Sequence, residues 1–318
     1  MNSYKFSMVT QAQSLSQAGL SQGQIGEALG MCHQTISNWL KVDLEEARKQ
    51  IIGKRPIGAN NLLSTRRPGR YLVVGAAVEK FRPPEGVGPF SLVIADPPWN
   101  VSDVGHSRER TARPKRAFTK DFGAWDAFPS ERAYLAQCRE WLKALYDLAA
   151  PDAFLFFWCS YRYMSHILVQ AQGVGWQEKT AFLWGKTNPM PMFGNNNLLA
   201  SFESALVLAK GGPIFQFNGK APRNWFISPQ VGGLERVKDH NGGAANLAQK
   251  PLDLTKQWVL WGSKRGDWVL DAFAGTGTVT VAGLHLGRNA CAVEADSALA
   301  HQIEARVLRE CPGAVSYG

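Results

Sequence analysis

The chain has 318 residues, 45% hydrophobic and 19% charged, an ordinary globular balance that permits a full-sized core in one large or two modest domains. Its 35 Lys and Arg exceed its 26 Asp and Glu, for a formal net charge of +9, which suits an anionic partner, most simply nucleic acid. No apolar run reaches membrane-spanning length and the polar N-terminus has no signal-peptide pattern; five cysteines without a CxxC pair point to reduced thiols, a cytoplasmic setting and no structural metal.

In chain order, residues 1–52 read as a separate unit. Gly19-Leu20-Ser21 is a turn with an N-cap, Gln24–Leu29 a short helix, Gly30 a turn residue and His33–Leu40 a second helix. Ile25, Leu29, Ile36, Trp39 and Leu40 form the shared core, with small residues at Gly26 and Gly30 where the helices approach. This is a helix-turn-helix pattern, and its spacing resembles that of phage-repressor-type DNA-binding domains, with Gly26 where Ala is common and Cys32 where an N-cap Ser is common. On that reading His33, Gln34, Thr35 and Asn38 face a DNA groove or its phosphates. A helical hairpin used for protein contacts satisfies the same pattern. Residues 53–70, rich in Gly, Pro, Asn and Arg, read as a linker.

From residue 71 to 318 strands and helices alternate. Strands are predicted at 71–74, 91–95, 153–159, 179–184, 204–208, 268–272 and 290–294, and helices at 130–149, 163–172, 251–262, 278–286 and 297–309. The alternation predicts an α/β fold, a doubly wound, mostly parallel Rossmann-like sheet, carrying the small all-α unit at its N-terminus.

Two stretches carry chemistry. In SLVIADPPWN the strand 92–95 must stop at Pro97 and Pro98, which have no N–H for the ladder, so Asp96 and Trp99 stand on a stiff turn at a strand's carboxyl end. Open α/β sheets place ligands at that edge. The second stretch, Trp268 to Thr278 (WVLDAFAGTGT), is a strand, a Gly-rich turn and a helix start, and about twenty residues beyond Asp271 another strand ends in Glu294. Gly275 and Gly277 let the backbone approach a ligand closely, and a terminal carboxylate such as Glu294 commonly takes a ribose diol. The turn is GxG rather than GxGxxG, and Asp271 ahead of it suits a ligand bearing an ammonium and a sulfonium better than a pyrophosphate.

DPPW at 96–99 followed by DAFAGTG at 271–277 resembles the S-adenosylmethionine-dependent amino-methyltransferases of DNA, in particular their permuted β class, whose catalytic segment precedes the cofactor segment. The resemblance covers roughly residues 70–310, and 121–126 (DFGAWD), 184–189 (WGKTNP), 248–251 (AQKP) and 286–288 (LGR) fit it in order. It implies that Asp271, Phe273, Ala274, Gly275, Thr276, Gly277 and Thr278 form the S-adenosylmethionine loop, that Glu294 holds the ribose hydroxyls and that Lys250 and Pro251 border the methionine end. Asp96, Pro97, Pro98 and Trp99 match the catalytic tetrapeptide. One departure stands out: family members often carry Gly-Asp after the strand preceding the catalytic one, and this chain has Gly75-Ala76, which leaves open how the cofactor's adenine is held.

The chemistry fits these residues. An exocyclic amine has its lone pair delocalised into the base; the Asp96 carboxylate and the Pro97 carbonyl can accept its two hydrogens and aim the lone pair at a sulfonium methyl, while Trp99 stacks on a base taken out of the duplex. An acid in the first position of the tetrapeptide favours adenine N6, as in the resembling enzymes, over cytosine N4. An RNA adenine methyltransferase and a catalytically weak DNA-binding regulator are the other readings. The partner implied is double-stranded DNA, in a restriction-modification setting; family members often pair as homodimers, which nothing in the sequence settles. Residues 101–120 read as a basic loop over the site, with Arg108, Arg110, Arg113, Lys115 and Arg116 as phosphate contacts. Residues 211–247 lie where the family carries its target-recognition segment, with Lys220, Arg223, Asn224 and Trp225 as candidates for touching DNA.

Overall fold

The computed structural model describes residues 69–101, 124–190, 198–217, 219–239 and 242–317, and, nearer the N-terminus, 9, 12–13, 16–17, 19–29 and 32–43. The chain divides into two compact units, Met1–Arg66 and Arg67–Gly318. The predicted linker up to residue 68 and Gly30 lie outside the described residues, as does the side chain of Leu29.

In the smaller unit, α1 (Gln22–Leu29) starts with a reciprocal cap: the Ser21 N–H donates to Gln24 Oε1 at 2.9 Å, and the Gln24 N–H to Ser21 Oγ at 3.4 Å. In α2 (His33–Leu40), Ile36 and Trp39 turn inward and pack with Ile25, Val9 and Ala12. His33, Gln34 and Asn38 occupy the exposed face and Thr35 is half-buried; the Gln34 amide donates to Asn38 at 3.3 Å.

The larger unit is one sheet of nine strands: β1 (Arg70–Gly75), β2 (Phe90–Ala95), β3 (Ala149–Cys159), β4 (Gln177–Lys186), β5 (Phe202–Lys210), β6 (Trp225–Ser228), β7 (Trp268–Asp271), β8 (Asn289–Glu294) and β9 (Val315–Ser316), in the order β6-β4-β5-β3-β2-β7-β8-β1-β9. Every predicted strand and helix of this unit is present. Two features depart from the expectation. Strand β5 runs antiparallel to both β3 and β4, while the other six ladders are parallel. A parallel return needs a crossover, usually helical, and none was predicted between residues 184 and 204, so β5 comes back alongside the strand it left. The unpredicted β6 is only four residues long, too short for its alternation to register, and pairs parallel with β4.

Helices cover both faces. On one, α3 (Glu131–Leu148) and α4 (Met164–Val174) bury Tyr134, Trp141, Leu145 and Ile167 against Leu155, Phe157 and Leu206; α3 begins at Ser130, whose hydroxyl accepts the Ala133 N–H. On the other, α5 (Leu252–Gly262) and α6 (Thr278–His285) pack Leu254, Trp258, Val259 and Val279 against Phe154, Phe156, Trp158 and Phe182. Trp258 is the hub of that layer: it stacks on Phe156 (4.4 Å between ring centroids) and Trp158 (4.7 Å) and meets Phe182 edge-on at 5.1 Å. Finally α7 (Ser297–Glu310) lays Ile303 and Val307 against Tyr71 and Ala292.

The topology places the site. Strands β2 and β7 are neighbours, with Ile94 opposite Asp271, and the Ala272 N–H donates to the Ile94 carbonyl at 3.1 Å. The two chemistry-bearing stretches, far apart in sequence, therefore leave the sheet side by side at its carboxyl edge.

Candidate active site

Beyond β2 the prolines end the ladder and the chain is caught by Asp126. Its buried carboxylate accepts three successive backbone N–H groups, Trp99 at 2.6 Å and Asn100 at 2.9 Å on Oδ1 and Val101 at 3.0 Å on Oδ2. Asn100 takes a left-handed conformation (φ 54°), and its side chain accepts the Phe128 N–H and donates to the Tyr163 hydroxyl. The DFGAWD match therefore has a structural meaning at its last residue, while residues 121–123 lie outside the described part of the chain.

Both Asp96 oxygens are engaged. Oδ1 accepts the Trp99 indole N–H at 3.1 Å, and Oδ2 accepts from Lys250 Nζ at 2.5 Å. The Lys250 ammonium lies over the ring faces of Trp99 (5.1 Å) and Trp158 (4.9 Å) and reaches Glu203 Oε2 at 3.3 Å; Glu203 Oε1 pairs with Lys186 at 2.6 Å. Asp96, Lys250, Glu203 and Lys186 thus form a chain of alternating charge. Burial pushes the Asp96 carboxyl above its ordinary range against the opposing pull of Lys250. Burial alone would lower Lys250 and raise Glu203, but their mutual attraction, with Asp96 and Lys186, more than offsets it: Lys250 stands above and Glu203 below its usual value.

A cavity of about 50 Å³ joins the two predicted stretches. Of the residues named from sequence, Asp96, Lys250, Asp271, Phe273, Ala274, Gly275, Thr276 and Thr278 line it, together with the unpredicted Asn246 and Trp158. Pro97, Pro98, Trp99, Pro251, Gly277 and Glu294 flank those residues in the chain or bond to them without lining the cavity. Glu294, at the tip of β8, accepts the Gly275 N–H at 2.6 Å and the Asp296 N–H at 2.9 Å, so it braces the Gly-rich turn directly.

Residues read from the sequence as ligand-facing also carry contacts within the fold. A Cβ on Gly277 (φ +74°) would lie 2.7 Å from Ile303, so this glycine lets the turn pack on α7. At Gly275 (φ +51°) a Cβ would lie 2.8 Å from the Asn246 amide, which covers the turn. Asp271 lines the cavity and is also bonded within the fold: its buried Oδ2 accepts the Thr280 N–H at 3.1 Å and hydroxyl at 3.0 Å, tying the strand end to α6. Burial drives this carboxyl up to about 7. The folded chain therefore holds a proton there that the unfolded chain, titrating near 3.9, has lost, and Asp271's contribution to stability falls as pH rises from about 4 to about 7, by up to about 4 kcal/mol. Urea unfolding of the parent and an Asp271→Asn variant at pH 4.5 and pH 8 checks this: the variant should gain on the parent at the higher pH, and a pH-independent difference would contradict it.

The remaining candidates lie elsewhere. Lys220 and Arg223 are exposed, the Arg223 guanidinium 5.0 Å over the Trp225 ring on β6, which three strands separate from β2 in the sheet. Asn224 is spent on structure, donating to Thr180 and to the Ala181 carbonyl. Arg108, Arg110, Arg113, Lys115 and Arg116 lie outside the described residues. All five cysteines are free thiols, and among the described residues no group of three His, Cys, Asp or Glu could hold a metal ion. No described helix is long and apolar enough to cross a membrane. Sequence reasoning missed the roles of Glu203, Asn246, Asp126 and Lys186, although Asp126 stands in DFGAWD, Lys186 in WGKTNP and Asn246 in the 211–247 segment.

Comparison with known proteins follows the same stretches. A family model for DNA methylases (N6_N4_Mtase) matches residues 90–305. The chain is 30% identical over 252 residues to the Type II methyltransferase M.HinfI of Haemophilus influenzae, covering 75% of this chain and 68% of that one. It is 24% identical over 218 residues to the Type II methyltransferase M2.DpnII of Streptococcus pneumoniae, covering 64% and 77%. In fold it is similar to M1.HpyAVI, solved as a complex with SAM (TM-score 0.51, 23% identity, 69% of this chain and 88% of that chain). It is also similar to the cytosine-N4-specific PvuII DNA methyltransferase (TM-score 0.52, 15% identity, 79% and 97%). With the strand that leads into DPPW and the Gly-rich strand side by side and the family model spanning both, this chain belongs to the N6/N4 DNA methylase family.

Proposed function

We propose that this protein is an S-adenosylmethionine-dependent DNA methyltransferase of the permuted β class, acting on the exocyclic N6 amine of adenine in double-stranded DNA in the cytoplasm. The observation that carries the reading is the convergence of Asp96 and the Gly275 turn on one cavity from adjacent strands.

The residues present fit the cofactor. Trp158 lines the cavity beside the Gly275 turn, and an indole ring suits a sulfonium. Glu294 retains lone pairs for ribose hydroxyls beside the turn it braces, and Phe273 and Thr276 supply walls. Bound there, S-adenosylmethionine supplies an electrophilic methyl group on a positively charged sulfur. The chain does the rest. Asp96 and the Pro97 carbonyl take the two amine hydrogens, which draws the nitrogen lone pair out of conjugation and orients it. Asp96 balances the positive charge that grows on nitrogen as the new bond forms. Trp99 offers its ring to a flipped base, a contact of about 1–3 kcal/mol. Asp126 keeps this loop from relaxing by occupying three of its N–H groups.

The acid at the first tetrapeptide position supports adenine over cytosine. The exposed face of α2, with His33, Gln34, Thr35 and Asn38, and the basic residues of the 101–120 segment supply DNA contacts outside the site, as do Lys220 and Arg223. Incubation with radiolabelled S-adenosylmethionine and unmethylated duplex DNA, followed by nucleoside chromatography, tests the reading. Label should run with N6-methyldeoxyadenosine. Label on N4-methyldeoxycytidine would overturn the choice of base, label only on competing RNA the choice of polymer, and no label on either the assignment as an enzyme.

A further inference from the structure

Each Asp96 oxygen already accepts one donor, Trp99 on one and the Lys250 ammonium on the other, so a base amine arriving there meets a carboxylate whose charge is already balanced. The means of release stands next to it. Glu203 Oε2 is buried and has no hydrogen bond, although Lys250 Nζ is only 3.3 Å away; Oε1 is held by Lys186 on the adjacent strand, so the carboxylate cannot swing out of reach. The ion pair with Lys250 is long, and a small rotation of that lysine would turn it into a well-formed hydrogen bond. Lys250 is confined to such a rotation by Trp99, Trp158 and the Ala248 carbonyl around it.

We infer that Glu203 is a positioning residue for methyl transfer: it is the second seat for the Lys250 ammonium, which moves from Asp96 to Glu203 when substrate binds and so frees an Asp96 oxygen for the target amine. The inference rests on the reading of Asp96 as the amine acceptor. It explains why a carboxylate on β5, out of reach of the base, is buried beside the site with its charge intact. It also resolves a conflict, since an ammonium left 2.5 Å from Asp96 would oppose the positive charge developing on the attacking nitrogen.

The test is Glu203→Gln, nearly the same shape without the charge. Lys250 then stays on Asp96, so kcat should fall by about tenfold or more while KM for DNA and for cofactor stays within about twofold. The acid limb of the kcat profile should move to lower pH, because Glu203 is one of the charges that hold Asp96 up. The groups facing Asp96 are Lys250, Glu203 and the Cys159 thiol, with Asp271 across the cavity and Lys186 behind Glu203. Loss of a neighbouring charge moves that limb whatever else Glu203 does, so the split between kcat and KM decides: a merely structural role would raise KM for cofactor or DNA as kcat falls. Parental kcat, or a KM raised in step with a lower kcat, would overturn the inference. Should Glu203→Gln not fold, Glu203→Asp carries the test: the charge stays, so the limb should remain while kcat falls because the shorter side chain cannot reach both lysines, and parental kcat would overturn the inference. Asp96→Ala assayed in parallel separates the two levels. If it still transfers methyl groups, the reading of Asp96 fails; if it is inactive while Glu203→Gln is parental, only the role of Glu203 fails.

Discussion

Asp96→Ala is expected to lower methyl transfer to DNA by about 10²–10⁴-fold while leaving the protein folded. The carboxylate meets the amine while the new bond is forming, so its interaction is stronger in the transition state than with the resting substrate, and the loss should appear in kcat. The fold should tolerate the change. Removing the carboxylate frees the Trp99 indole N–H and the Lys250 ammonium, neither on a fully buried residue, and Lys250 has Glu203 to turn to. Single-turnover assays with radiolabelled cofactor, alongside a cofactor-binding titration, check it. Binding close to parental with transfer nearly abolished is the expected pair of results. Full transfer in the variant would remove Asp96 from the chemistry.

Trp258→Ala should cost about 3–5 kcal/mol of unfolding free energy, a large share of the ordinary total for a domain. Trp258 is almost completely buried, stacks on Phe156 and Trp158 and meets Phe182, so alanine leaves a cavity that three rigid aromatic neighbours cannot fill. Its indole N–H has no hydrogen-bond partner, so no polar bond is lost and the cost is one of packing and apolar burial. The effect should reach the site, because Trp158 is both Trp258's stacking partner and a wall of the cavity beneath Lys250. Urea unfolding measures the first effect, and a weaker affinity for cofactor in the folded fraction the second. A loss below about 1 kcal/mol would show that the aromatic layer repacks.

Much of this was legible because it is local. Prolines that stop a strand, glycines in a turn and an acid at a strand's tip depend on a few neighbouring residues, so DPPW and DAFAGTG announce two strand ends, and the alternation of apolar runs announces the α/β sheet around them. The Ser21–Gln24 cap and the inward turn of Ile36 and Trp39 follow from helical spacing in the same way. What local pattern does not carry is what a side chain meets across the sheet. The sequence of the Gly-rich turn does not show that Gly277 packs against Ile303 or that Asp271 bonds Thr280, because both contacts come from helices that fold back onto the turn. Glu203 lies in an ordinary strand pattern, and only the pairing of β5 with β4 and β3 and the entry of Lys250 from the segment before α5 make it part of a charged chain. Asp126 is likewise one acid among many until the chain folds three N–H groups onto it.

The amino-acid sequence by itself determined the elements, the two stretches that carry chemistry and the family resemblance, since each rests on residues close along the chain. The tertiary structure alone decided which carboxylates face the cavity, which are consumed in holding the turns, and how Lys250 is shared between Asp96 and Glu203. The reason is that hydrogen bonds and ion pairs act over about 3 Å in space, and contacts between residues on different elements leave no periodicity in the sequence to read.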